Sequence, residues 1–178
     1  MESHRTALAI FETLSATDPT NAHFRLELAN ALVDVGALFG QARQIAQARS
    51  LTLRGSAILK EQAERPEATV EELSAAATAL LTCEPVDLRD PSAALRYAQR
   101  AAGKTNARNP SILSTLAQAL AQTGDTARAI DTAQTALKLL TPSGSGRPVS
   151  GLQRELEERL AEWGQTRNEP NGRSSRTR

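Results

Sequence analysis

Apolar residues recur every three or four positions along most of this chain, the spacing that places them on one face of an α-helix. Capping signals divide this pattern into segments. Asp90-Pro91 and Asn109-Pro110 each place an Asx residue before a proline at the first helical position, and Thr69 with Glu72 has the spacing of a capping box. The pattern predicts eight helices, near residues 3–16, 21–36, 40–64, 69–83, 91–104, 110–123, 125–140 and 150–164.

Further signals predict where these helices begin, end and connect. Ser150 with Gln153 repeats the capping-box spacing ahead of the last helix. Gly36 and Gly124 follow apolar-periodic segments and predict helix C-termini, because glycine readily adopts the left-handed conformation that closes a helix. Most connections are short, which makes successive helices antiparallel neighbours. Residues 165–178 lack the apolar side chains that would offset the entropy of ordering, so they are predicted to be a disordered basic tail.

The sequence also repeats itself. Three alanines recur 35 residues later, Ala94, Ala98 and Ala101 corresponding to Ala129, Ala133 and Ala136. A second set recurs 88 residues later, Phe24, Leu28, Ala29, Leu32 and Gly36 corresponding to Ile112, Leu116, Ala117, Leu120 and Gly124. A period near 35 residues is typical of a helix-turn-helix repeat. The leucines predict a packing stripe on the first helix of a unit, and the small alanines predict close approach of its partner helix.

This spacing resembles the tetratricopeptide repeat, which has a Leu-small pair, a further apolar residue and a glycine in its first half and small residues in its second helix. The segment 109–142 fits best, with matches at Leu113, Leu116, Ala117, Leu120, Gly124, Ala129 and Ala136. It departs from the pattern at Ala133, where the family has an aromatic residue. The resemblance implies an all-α fold, a right-handed superhelical array of antiparallel helix pairs with a C-terminal capping helix.

The repeat units define the predicted domain organisation. A helical repeat domain at 1–164 contains a half-repeat at 3–19, units at about 21–66, 69–106 and 109–142, and a capping helix at 150–164. The capping helix carries one apolar stripe, Leu152, Leu156, Leu160 and Trp163. The half-repeat lacks its first helix, and a solenoid unit cannot bury its apolar face alone. A chain that starts in the middle of a repeat is therefore expected to be either a fragment whose upstream units were removed or a family member with a truncated gene start. Its open face also predicts self-association through that helix.

Composition narrows the classes of function. Aromatic residues make up only 3% of the chain, which favours helices over a β-sandwich or barrel. The formal net charge is +1, so charge indicates neither a nucleic-acid partner nor a membrane surface. Cys83 is the single cysteine, which excludes an internal disulfide framework. The sequence has only two histidines, His4 and His23, so these three residues make no credible zinc site. No apolar stretch is long enough to span a membrane, so we expect a cytoplasmic protein. We also expect it to bind no metal or cofactor.

The sequence shows no catalytic constellation. Carboxylates such as Glu71-Glu72 are typical of solvated helix faces, and no Gly-rich loop follows a predicted strand. Cys83 follows two leucines and is interpreted as a small core residue. The arginines of the C-terminal tail lack the interleaved aromatic residues of a nucleic-acid-binding segment. The chain is therefore predicted not to be an enzyme.

The repeat resemblance implies a protein-protein interaction scaffold. Arrays of this family bind extended peptides or partner helices in a concave groove lined by the first helix of each unit. The residues predicted to face this groove lie off the packing stripe: Leu26, Asn30, Val33, Asp34, Ser74, Thr78, Ser114, Gln118 and Gln122. This lining is small and contains no cation, so a free C-terminal carboxylate is not expected to bind better than its amide.

A second resemblance implies an alternative function. Residues 9–21, the long helix predicted at 40–64 and the segment 91–116 are similar to the repeat tails that follow the kinase domain in bacterial serine/threonine protein kinases. None of the kinase's own motifs is present. On this alternative, the chain is a regulatory or docking tail severed from such a kinase.

Overall fold

The computed structural model describes the backbone of residues 2–140 and 151–168 and the side chains of residues 6–140 and 151–165. All regular structure in these ranges is helical, which confirms the all-α prediction. The helices are α1 (Glu2–Thr17), α2 (Ala22–Gln41), α3 (Ile45–Glu64), α4 (Val70–Thr82), α5 (Pro91–Lys104), α6 (Pro110–Gln122), α7 (Thr126–Leu140) and α8 (Gly151–Asn168), with a short 3-10 helix at Val86–Leu88.

The predicted caps start α4, α5 and α6. The Thr69 hydroxyl accepts a hydrogen bond from the Glu72 amide, and the Glu72 carboxylate accepts one from the Thr69 amide, which completes the capping box. Asp90 accepts from the amide of Ala93 at 3.0 Å, directly ahead of Pro91. Asn109 caps α6 in the same way. These local signals fix the helical register of the chain, because each cap satisfies amides that have no partner inside the helix.

The predicted helix end at Gly36 is wrong. α2 continues to Gln41, and the chain turns only at residues 42–44, where Arg43 has a φ of 57°. Gly36 lies inside the helix because α3 passes very close to it: a Cβ atom there would lie 2.6 Å from the Thr52 Oγ1 atom. Consequently α3 begins at Ile45, later than the predicted residue 40. The end predicted at Gly124 is confirmed, since this glycine follows α6 with a φ of 91°.

The helices pack as successive pairs. α2 packs on α3, α4 on α5 and α6 on α7, and each pair also contacts the next. The first helices of the pairs are neighbours in space, because α4 contacts both α2 and α6. α1 packs on α2 at one end, and α8 packs on α7 and α6 at the other.

Small residues occupy the interfaces between helices. Ala94, Ala98 and Ala101 of α5 are almost fully buried in the main core, together with Cys83. The repeat-related alanines of α7 are buried in a second cluster, which includes Leu156 and Trp163 of α8. The alanines therefore allow the close helix approach that the sequence predicts, and Cys83 is the core residue that was expected.

The C-terminal helix covers the last helix pair. Leu156 is fully buried and Trp163 is 9% exposed, and both pack against the α6 and α7 residues of the second cluster. α8 continues to Asn168, so the first four residues of the predicted disordered tail are helical. Ser150 and residues 169–178 lie outside the described residues. The capping box predicted at Ser150 and Gln153 therefore also lies outside the described part of the chain.

The opposite end of the array carries an open helix face. α1 places Leu8 against the α2–α3 pair, whereas Ile10 on its other side is 53% exposed. Thr6, Ala9, Thr13 and Leu14 surround Ile10 on this outer face. Across the described helices, none is long and apolar enough to cross a bilayer.

Candidate functional site

One concavity in the described part of the chain lies across the first helices of the three pairs. It is an open groove of about 600 Å³, which we call the central groove. Its lining residues come from α2, α4 and α6 and from the cap of α6: Asn30, Val33, Asp34, Val70, Glu71, Ser74, Ala75, Thr78, Ala79, Thr82, Asn109, Ser111 and Ile112. Three different units of the chain therefore contribute to one surface.

Five of the nine sequence-predicted groove residues come together here. Asn30, Val33 and Asp34 of α2 and Ser74 and Thr78 of α4 line the central groove. They are brought together because α2 and α4 start at well-defined caps and lie side by side. Val33 is also part of the main core and forms part of the groove floor, while Asp34 and Thr78 are exposed.

The floor and walls of the central groove differ in chemistry. Val33, Val70, Ala75, Ala79 and Ile112 provide apolar surface. The remaining lining side chains are hydroxyls, amides and carboxylates, and no lysine or arginine whose side chain the structure describes is part of the lining. The carboxamide oxygen of Asn109 accepts from the amides of Ser111 and Ile112, which holds that side chain at the groove edge. This combination suits a ligand with both an apolar and a hydrogen-bonding surface.

Leu26 and Ser114 do not line this groove. Leu26 is 3% exposed and lies in the main core, because its side chain faces the helices beneath α2. Ser114 is 6% exposed, and the Arg159 guanidinium of α8 lies 3.5 Å from its hydroxyl oxygen. The C-terminal helix therefore occupies the space that the sequence analysis assigned to a ligand at this position.

Gln118 and Gln122 line a separate concavity, the C-terminal cleft, between α6 and α8. This cleft has a volume of about 270 Å³, and its other lining residues include Arg159, Glu162 and Trp163. Arg159 is held by an ion pair with Glu155 at 2.7 Å. The two glutamines thus face a polar seam beside the C-terminal helix, apart from the five residues of the central groove.

A smaller concavity, the N-terminal cleft, adjoins the central groove. It measures about 140 Å³ and lies between α1 and α2, with Phe11 and Glu27 among its lining residues. Asn30 and Asp34 line both this cleft and the central groove. These two side chains therefore stand on the ridge that joins the two concavities.

The sequence analysis assigned neither Glu71 and Asn109 to the central groove nor Glu27 to the N-terminal cleft. Glu71 was interpreted as solvated charge and Asn109 only as a helix cap. A signal for the two carboxylates exists in the spacing, because Glu27, Asn30 and Asp34 repeat the intervals of Glu71, Ser74 and Thr78, three and seven residues along the helix. Positions with these intervals share one helix face, so each glutamate lies on the face of the two residues that were assigned.

Cys83 and His23 do not line these concavities. Cys83 is 1% exposed in the core, and burial raises the pKa of its thiol. His23 is exposed at the start of α2, where its ring lies 6.3 Å from that of Phe24. Within the described ranges, no three His, Cys, Asp or Glu side chains form a group that would hold a metal ion.

Comparisons of the chain with protein-family models, with curated proteins and with solved structures give no significant match.

Proposed function

We propose that this chain is a non-catalytic protein-interaction module that binds an extended segment of a partner protein in the central groove. The observation that supports this function most strongly is the groove's construction. Three successive first helices contribute to one continuous lining, so a segment lying in it contacts three units of the chain. Such shared surfaces are how repeat proteins recognise partners.

We further propose that the helix pairs form a right-handed superhelical array like that of tetratricopeptide repeats. The order of packing supports this arrangement, because each pair contacts the next and the first helices are mutual neighbours. The terminal helix α8 supports it as well. Its inner face packs on the last pair through Leu156 and Trp163, while Glu157 and Glu158 are exposed, as is typical of a capping helix.

The lining supports recognition of a polypeptide. Peptide segments present backbone amides and carbonyls at regular intervals, and hydroxyl and carboxamide groups such as those of Ser74, Thr78 and Asn30 satisfy both. The apolar residues between them can cover alternate side chains of the bound segment. The central groove is open to solvent, which suits a chain that enters and leaves through its ends.

Selection from a random peptide library tests this function. We would display 12-residue peptides and select them on the wild-type chain and on a variant in which Ser74→Tyr and Thr78→Tyr fill the central groove. The matched control is Ala46→Tyr with Ser50→Tyr, which adds the same side chains four residues apart on exposed positions of α3. Circular dichroism would verify that all three proteins fold.

We expect peptides that are enriched on the wild type and on the α3 control and that are lost on the groove-filled variant. If the groove-filled variant enriches the same peptides as the wild type, the central groove is not the binding surface and the proposed function is wrong. The same conclusion follows if no peptide is enriched on any of the three proteins.

A further inference from the structure

The concave side of the chain carries carboxylates without ion-pair partners. Glu27 lines the N-terminal cleft, Glu71 lines the central groove, and Asp34 lines both. Among the residues that the structure describes, none of these three carboxylates has a Lys or Arg within ion-pair distance. Within ranges 6–140 and 151–165, whose side chains the structure describes, no lysine or arginine lines either concavity. This surface is therefore acidic although the whole chain has a net charge of only +1.

Carboxylates elsewhere on the same helix pairs are paired. Glu61 of α3 binds Arg25 at 2.6 Å, and Asp90 at the start of α5 binds Lys60 at 3.0 Å. Asp87 in the connection between α4 and α5 binds Arg49 at 2.8 Å, and Glu64 lies 3.6 Å from Arg96. Even Glu72, the immediate neighbour of Glu71, pairs with Arg65. None of these five ion pairs includes a cation that lines the central groove or the N-terminal cleft.

The unpaired glutamates also stand in register. In α2, Asn30 and Asp34 follow Glu27 by three and seven positions. In α4, Ser74 and Thr78 follow Glu71 by the same intervals. Two turns of helix separate Glu27 from Asp34, about 10 Å along the axis of α2. Acidic groups are therefore spread along the concave surface, where they can meet successive side chains of an extended ligand.

We propose that the partner segment bound in the central groove is basic, with Lys or Arg side chains that pair with Asp34 and Glu71 and extend toward Glu27. This inference rests on the proposed function and specifies the chemistry of its ligand. Carboxylates in a concave surface with no competing cation attract a basic segment and repel an acidic one. The apolar lining contributed by Val33, Val70 and Ile112 then covers the methylene stems of those side chains.

Fluorescence anisotropy with defined peptides tests this inference. The probes are three fluorescein-labelled 12-residue peptides with blocked termini, in which serine alternates with lysine, with glutamine or with glutamate. We expect the lysine peptide to bind most tightly, the glutamine peptide more weakly and the glutamate peptide not at all. Raising the NaCl concentration from about 50 to about 500 mM should lower the affinity for the lysine peptide most, since salt screens exposed charges.

A pair of charge-matched variants locates the binding site. Asp34→Asn with Glu71→Gln removes two charges from the central groove. Asp131→Asn with Glu158→Gln removes two charges from exposed positions of α7 and α8 that line none of the three concavities. We expect the groove variant to bind the lysine peptide roughly three- to tenfold more weakly than the wild type, and the control variant to bind as the wild type does.

The alternative outcomes separate this inference from the proposed function. If the lysine and glutamine peptides bind equally, or if both variants lose affinity equally, the ligand is not selected by these carboxylates and the inference is wrong. Groove-dependent enrichment of neutral or acidic peptides from the library would still support the proposed function. If the lysine peptide binds only after residues 169–178 are removed, the chain's own arginine-containing end is the occupant, which overturns the assignment to a partner.

Discussion

Gly55 of α3 packs directly against the backbone of Ala29 in α2. A Cβ atom at position 55 would lie 2.8 Å from the Ala29 carbonyl oxygen and 2.8 Å from the Val33 Cγ2 atom. The backbone oxygen cannot move aside as a side chain can, so we expect Gly55→Ala to push α3 away from α2. The free energy of unfolding should fall by about 1–3 kcal/mol, the usual range for overpacking.

Urea denaturation followed by circular dichroism at 222 nm measures this change. Gly103→Ala is the matched control, because Gly103 also lies in a helix but a Cβ there would have no neighbour within 4 Å. Alanine has the higher helix propensity, so this control should gain roughly 0.5–1 kcal/mol. Equal effects of the two substitutions would show that α2 and α3 are not packed as closely as described.

The chain's only tyrosine joins two helix pairs. The Tyr97 hydroxyl of α5 donates to the Glu64 Oε1 atom of α3 at 2.6 Å, and the side chain is 2% exposed. Burial and the neighbouring carboxylate raise the pKa of Tyr97 to about 12. The neutral hydroxyl is thus favoured in the folded chain, so its stabilising contribution is complete below the ordinary pKa of 10 and is lost as the pH rises from 10 toward 12.

Absorbance at 295 nm follows this single tyrosine directly. We expect ionisation near pH 12 in the folded chain and near pH 10 in urea. A midpoint near pH 10 while the dichroism at 222 nm is unchanged would contradict the buried hydrogen bond. Tyr97→Phe should lower the free energy of unfolding by only about 0.5–1.5 kcal/mol, because Glu64 is exposed and can bind water instead.

Asp90 has two roles that substitution can separate. It caps α5 through the Ala93 amide at 3.0 Å, and it pairs with Lys60 at 3.0 Å. The Ala93 hydrogen bond, together with Lys60, lowers the pKa of Asp90 below its ordinary value of 3.8. Since the folded-state pKa is the lower one, the stabilising contribution of the carboxylate is present above pH 3.8 and is lost as the pH falls below it.

Asp90→Ala removes the cap and should destabilise the chain by roughly 0.5–2 kcal/mol at neutral pH. Asp90→Asn retains an effective cap and should cost less at neutral pH. Both variants should lose less stability than the wild type when the pH is lowered from 5 to 3, because they lack the carboxylate that becomes protonated. Thermal melts at several pH values test this prediction. If the stability of all three proteins falls equally between pH 5 and 3, the ionised Asp90 carboxylate does not contribute to the acid dependence of stability.

The helices were predictable because their signals are local. Thr69, Asp90 and Asn109 cap α4, α5 and α6 as the sequence indicates, and the register set in this way places Ser74 and Thr78 on the groove-facing side of α4. Gly36 shows where local reasoning ends. A missing Cβ serves either a left-handed turn or the close approach of another helix, and only tertiary packing distinguishes the two.

The groove was predictable only in part, since it depends on which helices cover which residues. Ser114 lies five residues after its N-cap, as the groove residue Ser74 does, but α8 places Arg159 against it. Nothing in the local sequence around residue 114 specifies that contact. The sequence also did not predict that Glu27 and Glu71 have no ion-pair partner among the described residues. The fold determines which arginines of this nearly neutral chain lie near which carboxylates, as Arg25 near Glu61 and Arg49 near Asp87 show.

Nuclear magnetic resonance of the isotope-labelled chain tests the central claim most directly. A peptide enriched on the wild type would carry a nitroxide label at its centre, which broadens the amide signals nearest to it. We predict broadening at Asn30, Ser74, Thr78 and Ser111 around the central groove, with the amides of α5 and α7 unaffected. Broadening centred on α5 and α7, or on the exposed face of α1 around Ile10, would contradict the assignment of the central groove as the binding surface.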